Sequence, residues 1–211
     1  VRYKAWNALH KMGSKAEKEL MKMFLSKNSR HRARALWLMG KIEGRSAHFV
    51  DMASKDQDPN IRILALRLAR QTGTPLIKII EKMTSDTSAK VRRECAISLT
   101  HVRVDKKASL WASLAINHDA GDRWSLEALG IAAANDWDLC LSSWLKLVGD
   151  DWDTDKGKDI IWRSRAKESS LLIAKILKDP KVLEKDRPRY FRALDFQDAA
   201  QREEALIKIL E

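Results

Sequence analysis

An arginine returns every thirty residues in the first half of the chain, and this repeat constrains the fold more than any other feature. Four dipeptides share one register and a fifth follows one residue late: Val1-Arg2, His31-Arg32, Ile61-Arg62, Val91-Arg92 and Asp122-Arg123. A small residue follows three positions after each of the first four arginines: Ala5, Ala35, Ala65 and Cys95. A fixed period of roughly 20–50 residues is typical of stacked repeats. The sequence therefore predicts a solenoid, which is more often a binding surface than a catalytic centre.

Composition and periodicity predict that every repeat is helical. The chain has only 8 Gly and 4 Pro and is rich in good helix formers. Apolar residues at Ile61, Leu64, Ala65 and Leu68 have helical spacing, and no stretch alternates for long enough to indicate a strand. The predicted helix pairs are 15–26 with 29–42, 45–54 with 58–71, 75–84 with 88–102, 106–117 with 121–134, 137–148 with 156–166, and 168–178 with about 187–196, before a closing helix at 199–210.

Helix boundaries have their own signals. Gly13, Gly44 and Gly73 follow second helices of the predicted pairs, where a left-handed backbone conformation is favoured. Asp58 precedes Pro59, and this pair suits a helix start because aspartate caps free N–H groups and proline is tolerated at the first helical position.

The repeating arginine is accompanied by an aspartate. Asp56 lies six residues before Arg62, and Asp86 lies six residues before Arg92, while Arg32 has the same register one repeat earlier. Stacked repeats would align these residues into a ladder of charge-assisted hydrogen bonds between neighbouring units. The alternative is a row of anion-binding arginines, which is weaker because an arginine paired with aspartate has fewer donors left.

Three patterns resemble HEAT repeats: the D-x5-R spacing, V-R-x-x-A, and the run A-L-W-L-M-G-K-I at 35–42. The resemblance is clear over 1–134 and loose over 135–211, and it implies an all-α HEAT/armadillo-type superhelix of about six helix pairs. We expect one solenoid domain over 1–211, with regular repeats first and divergent repeats after them. Because the chain starts in mid-pattern, we expect it to be part of a larger multidomain protein.

Three later segments, in this order, resemble one particular family: D-R-W-S-L-E-A-L-G-I-A at 122–132, I-I-W-R-S-R at 160–165, and R-P-R-Y-F-R-A-L-D-F at 187–196. They are similar to the helical region of large exported bacterial membrane-bound (sorbosone/glucose-type) dehydrogenase-like proteins. In that family a quinone-dependent-dehydrogenase-like β-propeller precedes the HEAT repeats and a c-type cytochrome domain follows them. The resemblance implies a non-catalytic connector that holds no cofactor itself and contacts its flanking domains or a docking protein. The parent would be a haem-binding protein, exported to the periplasm or cell envelope.

Charge supports a different hypothesis. The net charge is +11, but residues 1–104 carry 22 Lys and Arg against 9 Asp and Glu, a net of +13, whereas 105–211 carry 18 against 20, a net of −2. The basic half could attract nucleic acid, an acidic protein or an anionic lipid surface, or it could be a solvated helix exterior. A basic nucleic-acid-binding protein, including a DNA glycosylase-like variant, is therefore the alternative function. A general cytoplasmic protein–protein scaffold is the third.

Tryptophans cluster in the second half, where six of the eight lie between Trp111 and Trp162. Trp111 and Trp144 occupy comparable first-helix positions and are predicted core residues. Trp124 and Trp162 adjoin arginines that we place at helix starts, and together they predict a binding face for a sugar, a base or a partner loop. Its residues are Arg123, Trp124, Trp162, Arg163 and Arg165.

Motifs for catalysis or metal binding are missing from the sequence. The acidic loop at 150–159 resembles a calcium loop, but Lys156 replaces the turn glycine and Trp162 replaces the bidentate glutamate. The five histidines lack metal-ligand spacing, and no nucleophile or phosphate-loop motif occurs. We therefore predict no catalytic residue and no metal. Cys95 is expected to be a buried free thiol, with a Cys95–Cys140 disulfide as the alternative in an exported protein.

Overall fold

The all-α prediction is confirmed. A computed structural model describes residues 2–211, except for the side chains of Val104 and Asp105, and the Val1 position of the repeat register lies outside the described residues. Within this range the chain forms fourteen α-helices and four short 3-10 helices, and no strand. It divides into two compact units, Val1–His101 and Val102–Glu211.

The first unit contains seven α-helices: Arg2–Met12 (α1), Glu17–Phe24 (α2), Ser29–Met39 (α3), Ser46–Ser54 (α4), Pro59–Thr72 (α5), Ile77–Met83 (α6) and Ala89–Ser98 (α7). Helices α2, α4 and α6 each pack against the helix that follows, so that they form the predicted pairs. The second helices of these pairs also pack on one another, α3 against α5 and α5 against α7. Each pair is thus joined to the next through its second helix.

Small residues allow the second helices to pack closely. Ala35, Ala65 and Cys95, which share the thirty-residue register, are fully buried, whereas Ala5 of α1 is exposed. Gly40, at the end of α3, lies so near α5 that an added Cβ would stand 2.3 Å from a methyl of Leu68. The small residue of the repeat is therefore needed for α3, α5 and α7 to pack closely on one another.

Helix ends follow the predicted signals. Gly73 ends α5 in the left-handed conformation at φ 72°, and Gly13 and Gly44 also have positive φ. The carboxylate of Asp58 accepts a hydrogen bond from the N–H of Asn60 at 2.8 Å, with Pro59 as the first helical residue. These local contacts fix where the second helices begin and end.

The arginines and aspartates of the repeat bind one another across successive turns. Arg62 donates from Nε and Nη2 to the two carboxylate oxygens of Asp86, each at 2.7 Å, and from Nη1 to the carbonyl of Asp56 at 2.8 Å. Arg32 pairs with the Asp56 carboxylate, and Arg92 donates to the Asp86 carbonyl at 2.7 Å. Each aspartate therefore receives the arginine of the preceding repeat, while its own repeat's arginine binds the turn through a main-chain carbonyl.

The second unit contains seven α-helices: Val104–Ile116 (α8), Arg123–Ala133 (α9), Trp137–Val148 (α10), Asp155–Arg163 (α11), Ser169–Lys178 (α12), Arg187–Leu194 (α13) and Ala199–Leu210 (α14). Helices α8 and α12 pack against the helices that follow them, as predicted. The predicted pairing of 137–148 with 156–166 is wrong, because α10 and α11 are not packed as a pair and α11 packs against α12 instead. Helix α9 packs against α11 and α11 against α13, while α8 packs against α10 and α12 against α14. Trp111 and Trp144 are buried, as predicted. No helix of the described chain combines the length and apolar character that crossing a bilayer requires.

Both cysteines are free and buried. Burial, the main cause, together with the nearby Asp86 and Glu94 carboxylates, raises the pKa of the Cys95 thiol well above its usual range. Burial, the main cause, also raises the pKa of Cys140, to about 12. Both are therefore held as neutral thiols inside the helix layers, with no thiolate character at physiological pH.

We expect Arg62→Ala to lower the free energy of unfolding by about 3 kcal/mol, because it leaves the nearly buried Asp86 carboxylate without its bidentate partner. Urea denaturation followed by circular dichroism measures this loss. The matched control is Arg34→Ala, which removes an exposed arginine of α3 and should change stability by less than about 0.5 kcal/mol. Equal losses in the two variants would contradict a structural role for the ladder.

Candidate anion-binding site

A cavity of about 500 Å³ in the second unit gathers arginines and aromatic rings. Its walls carry five arginines and a single carboxylate, and the full lining is Arg123, Glu127, Trp162, Arg163, Arg165, Arg189, Arg192, Ala193 and Phe196. We call it the arginine pocket. Four of the five residues of the predicted binding face line it. The fifth, Trp124, is 74% exposed and is not among its lining residues.

Three successive second helices supply the pocket. Helix α9 contributes Arg123 from its first turn, and α13 contributes Arg189 and Arg192. The prediction that Trp162 and Arg163 stand at a helix start is wrong, because both lie in the last turn of α11. Ser164 then adopts an extended conformation, so this helix ends at Arg163, three residues before the predicted end at 166. Arg165 therefore projects from a loop.

Arg163 is held in place by packing against Gly130 and by a hydrogen bond to Glu127. Its guanidinium packs over Gly130, where an added Cβ would be 2.2 Å from Nη2, and Nη2 donates to Glu127 at 3.2 Å. Its side chain is only 19% exposed. The Nε atom is buried and has no hydrogen-bond partner in the described part of the chain. This Nε lies on the side of the guanidinium that packs against Gly130.

Arg165 is held by the loop and by an aromatic ring. Its Nη1 donates to the carbonyls of Ser164 and Arg163 at 2.8 and 3.0 Å, and its guanidinium stacks 4.6 Å from the centre of the Phe196 ring. Burial, reinforced by the positive charge of Arg163, lowers the pKa of Arg165. Two neighbouring guanidinium groups therefore repel each other, and an anion between them would relieve this repulsion.

Arg189 is held in place by the buried carboxylate of Asp159. It stacks 4.4 Å from the centre of the Trp162 ring and donates to Asp159. Asp159 also accepts from the N–H of Gly121 at 2.8 Å and lies 3.3 Å from Nε2 of His118. Burial opposes the charged form of Asp159, but these hydrogen bonds outweigh it and lower the pKa to about 2. Arg189 is thus oriented by the ionised carboxylate of Asp159, which lies on α11.

The rim of the pocket is formed by solvent-exposed arginines. The Arg123 side chain is 76% exposed, with Nε 3.6 Å from Glu127. Arg192 is exposed on α13 and lies between the pocket and the solvent-facing aromatic residues. Sequence reasoning missed Arg189, Arg192 and Phe196 as site residues, although all three lie within the segment 187–196 that carried the family resemblance.

The pocket is strongly cationic, although the half of the chain that forms it is not. Residues 105–211 have a net charge of −2, yet five of their arginines converge here against Glu127. Converging cations with low-dielectric walls concentrate anions. The guanidinium groups of the described lining can bind and orient an anion through paired hydrogen bonds.

Elsewhere, in the acidic loop at 150–159, Lys158 lies near the carboxylate of Asp153. Lys158 Nζ lies 2.9 Å from the Asp153 carboxylate and 3.8 Å from that of Asp179. Among the described residues, no cluster of three or more His, Cys, Asp or Glu side chains has an arrangement that could hold a metal ion.

These observations define an all-α protein of paired helices with a cationic, aromatic-walled pocket on one helix layer. Comparisons with protein families, with curated proteins and with solved structures gave no match for this chain. The resemblance to exported dehydrogenase-like proteins therefore stays a prediction.

We expect Gly130→Ala to displace the Arg163 guanidinium and to weaken binding of inorganic pyrophosphate about tenfold, the loss expected for one charge-assisted hydrogen bond. Stability should fall by about 1 kcal/mol, because the displaced Arg163 loses its hydrogen bond to Glu127 while alanine favours the helix over glycine. Calorimetric titration and urea denaturation measure the two effects. As a contrast, Gly157→Ala places a Cβ 1.9 Å from the Trp152 carbonyl oxygen and should be destabilising. Unchanged pyrophosphate affinity in Gly130→Ala would show that Arg163 does not contact the anion.

The low pKa of Asp159 predicts a pH-dependent contribution to stability. Because its folded pKa of about 2 lies below the ordinary aspartate value of 3.8, its stabilising contribution is present above pH 4 and is lost as pH falls towards 2. The stability difference between the wild type and Asp159→Asn should therefore be about 1 kcal/mol smaller at pH 3 than at pH 5. Urea denaturation at the two pH values measures it. A difference that does not depend on pH would mean that folding does not lower the pKa of Asp159.

Proposed function

We propose that the chain is a HEAT-type α-solenoid module. The proposal is supported by the pairwise packing of successive helices, by the second helices that pack in chain order within each unit, and by the arginine–aspartate contacts between neighbouring turns. Repeats of this kind stack so that each contacts mainly its neighbours, and they commonly present extended binding surfaces.

Its function, in this proposal, is non-catalytic binding of a protein partner through an anionic group. The observation that carries it is the arginine pocket, where five arginines meet one glutamate in a half of the chain whose net charge is −2. Guanidinium groups recognise carboxylates and phosphates through paired hydrogen bonds. The aromatic stacking of Arg165 and Arg189 reduces the entropy that these side chains lose on binding.

The context that the resemblance implies is a connector inside an exported, haem-domain-containing dehydrogenase-like protein. The partner would then be a flanking domain or a docking protein, and no cofactor would be held by this chain. The pocket is compatible with that role because its guanidinium groups can bind an anionic group of a partner. Reading the open reading frame on both sides of this chain tests the context independently of the pocket.

Nucleic-acid binding is the second candidate, because residues 1–104 have a net charge of +13. Many of the arginines that give this charge are already engaged with carboxylates, which lowers the potential they present to a polyanion. The pairs are Arg32–Asp56, Arg45–Glu17, Arg62–Asp86, Arg67–Glu94 and Arg70–Glu94. The exposed lysines remain as the cationic surface that would contact phosphates.

Titration with inorganic pyrophosphate at fixed ionic strength tests the leading proposal. Arginine side-chain Nε–H resonances of Arg163, Arg165 and Arg192 should shift saturably in NMR spectra. Arg192→Gln should weaken binding about tenfold, since a charge-assisted hydrogen bond is lost at an exposed position. The matched control Arg34→Gln removes an exposed arginine of α3 and should leave the affinity unchanged.

Two outcomes contradict the leading proposal. One is the absence of saturable shifts in the pocket arginines, and the other is an equal loss of affinity in Arg192→Gln and Arg34→Gln. Tight binding of a single-stranded oligonucleotide that falls steeply with salt and is unaffected by Arg192→Gln would support the nucleic-acid candidate instead.

A further inference from the structure

A second cavity, of about 540 Å³, adjoins the arginine pocket. The two share Arg192 and Phe196 as lining residues. Beyond this common wall the second cavity is formed mainly by apolar side chains of α13 and α14, with Asp195 and Arg202 beside them. We call it the apolar groove.

The apolar groove exposes large hydrophobic side chains to solvent. Phe196 is 59% exposed, Phe191 44% and Leu206 41%. On the same helix as Leu206, Ile207 and Leu210 are also exposed. Adjacent exposed apolar residues with polar residues at their edge are typical of protein interaction sites.

We infer that the arginine pocket and the apolar groove form one two-part site for an acidic segment of a partner protein. A glutamate or aspartate carboxylate occupies the arginine pocket, and an apolar side chain next to it lies in the apolar groove. This inference rests on the proposed function and specifies the ligand of the same pocket.

Charge complementarity favours a carboxylate in the first part of the site. Arg163 and Arg165 both line the pocket, Arg165 has only one edge bound by carbonyls, and Arg192 stands exposed at the shared wall. These groups surround a limited volume that is open to solvent. One or two carboxylates would satisfy the free donors without the long chain of charges that a polyanion brings.

The surroundings disfavour a polyanion. A nucleic-acid strand carries a phosphate on every nucleotide, and its charges would continue past the pocket. The adjoining groove offers the apolar side chains of Phe191 and Leu206, with Asp195 and Arg202 beside them, so it does not continue the cationic surface of the arginine pocket. A protein segment in which acidic and apolar residues are adjacent fits both parts.

Fluorescence anisotropy with three labelled peptides tests the inference. The first contains two glutamates followed by leucine and phenylalanine, the second has glutamine in place of both glutamates, and the third has serine in place of leucine and phenylalanine. At fixed ionic strength we expect the first peptide to bind about tenfold tighter than either of the others, because each loses one of the two anchors.

Variants assign each anchor to its part of the site. Arg192→Gln should weaken the first and third peptides about tenfold. Phe191→Ser should weaken the first and second peptides, which carry the apolar residues, and leave the third unchanged. Leu206→Ser should do the same from the other wall of the groove. The matched control Leu147→Ser changes an exposed leucine of α10 and should leave all affinities unchanged. Circular dichroism melting of each variant verifies that the fold is retained.

The outcomes separate this inference from the proposed function. If pyrophosphate binds but the serine peptide binds as tightly as the leucine–phenylalanine peptide, the two-part site is overturned and the anion-binding function stands. If neither pyrophosphate nor any peptide binds, both fail. If an oligonucleotide competes at the pocket while Phe191→Ser has no effect on the peptides, the partner is a polyanion and the inference is overturned.

Discussion

The pairing of an arginine with a carboxylate on a successive helix is the interaction on which both units depend. In the first unit it joins turns, as Arg62 binds both oxygens of Asp86 and the carbonyl of Asp56. In the second unit it joins α11 to α13 through Asp159 and Arg189, and α9 to α11 through Glu127 and Arg163. Apolar burial drives the helices together without direction, whereas these pairs have fixed donors and acceptors. They therefore help to set the register in which successive helices stack.

A difference in charge balance separates a structural use of arginine from a binding use. The ladder arginines of the first unit face carboxylates and turn carbonyls that satisfy their donors. In the arginine pocket, five guanidinium groups meet Glu127 alone, with Asp159 below Arg189. The surplus leaves donors directed at an open cavity, and it is this surplus that supports the proposal of an anionic partner. Arginine thus stabilises the fold where carboxylates balance it, and it is available to bind a partner where it outnumbers them.

Much of the helix pattern followed from sequence alone, because its signals are local. Asp58, Pro59 and Gly73 mark the ends of α5 through their own backbone preferences, and the spacing of Ile61, Leu64 and Ala65 marks its buried face. The extension of the predicted helix 156–166 beyond Arg163 was wrong, since helical propensity continues there but Ser164 turns the chain into an extended conformation. That turn places Arg165 in a loop, where it can face Arg163 and Phe196. The sequence pointed to four residues of the site because they lie in two segments where tryptophan adjoins arginine: Arg123, Trp162, Arg163 and Arg165. No comparable local pattern marked Arg189 or Phe196 as site residues.

The sequence by itself determined that the chain is helical, roughly where its helices lie, and that its repeating arginines accompany repeating aspartates. These properties depend on short-range periodicity and on the conformational preferences of single residues. Only the tertiary structure decided where arginines outnumber the carboxylates around them. Arg123, Arg163 and Arg192 lie on three different helices, and their convergence depends on the packing of α9, α11 and α13. A pocket is a property of distances between helices that are remote in sequence, so its composition becomes readable only when those helices are packed.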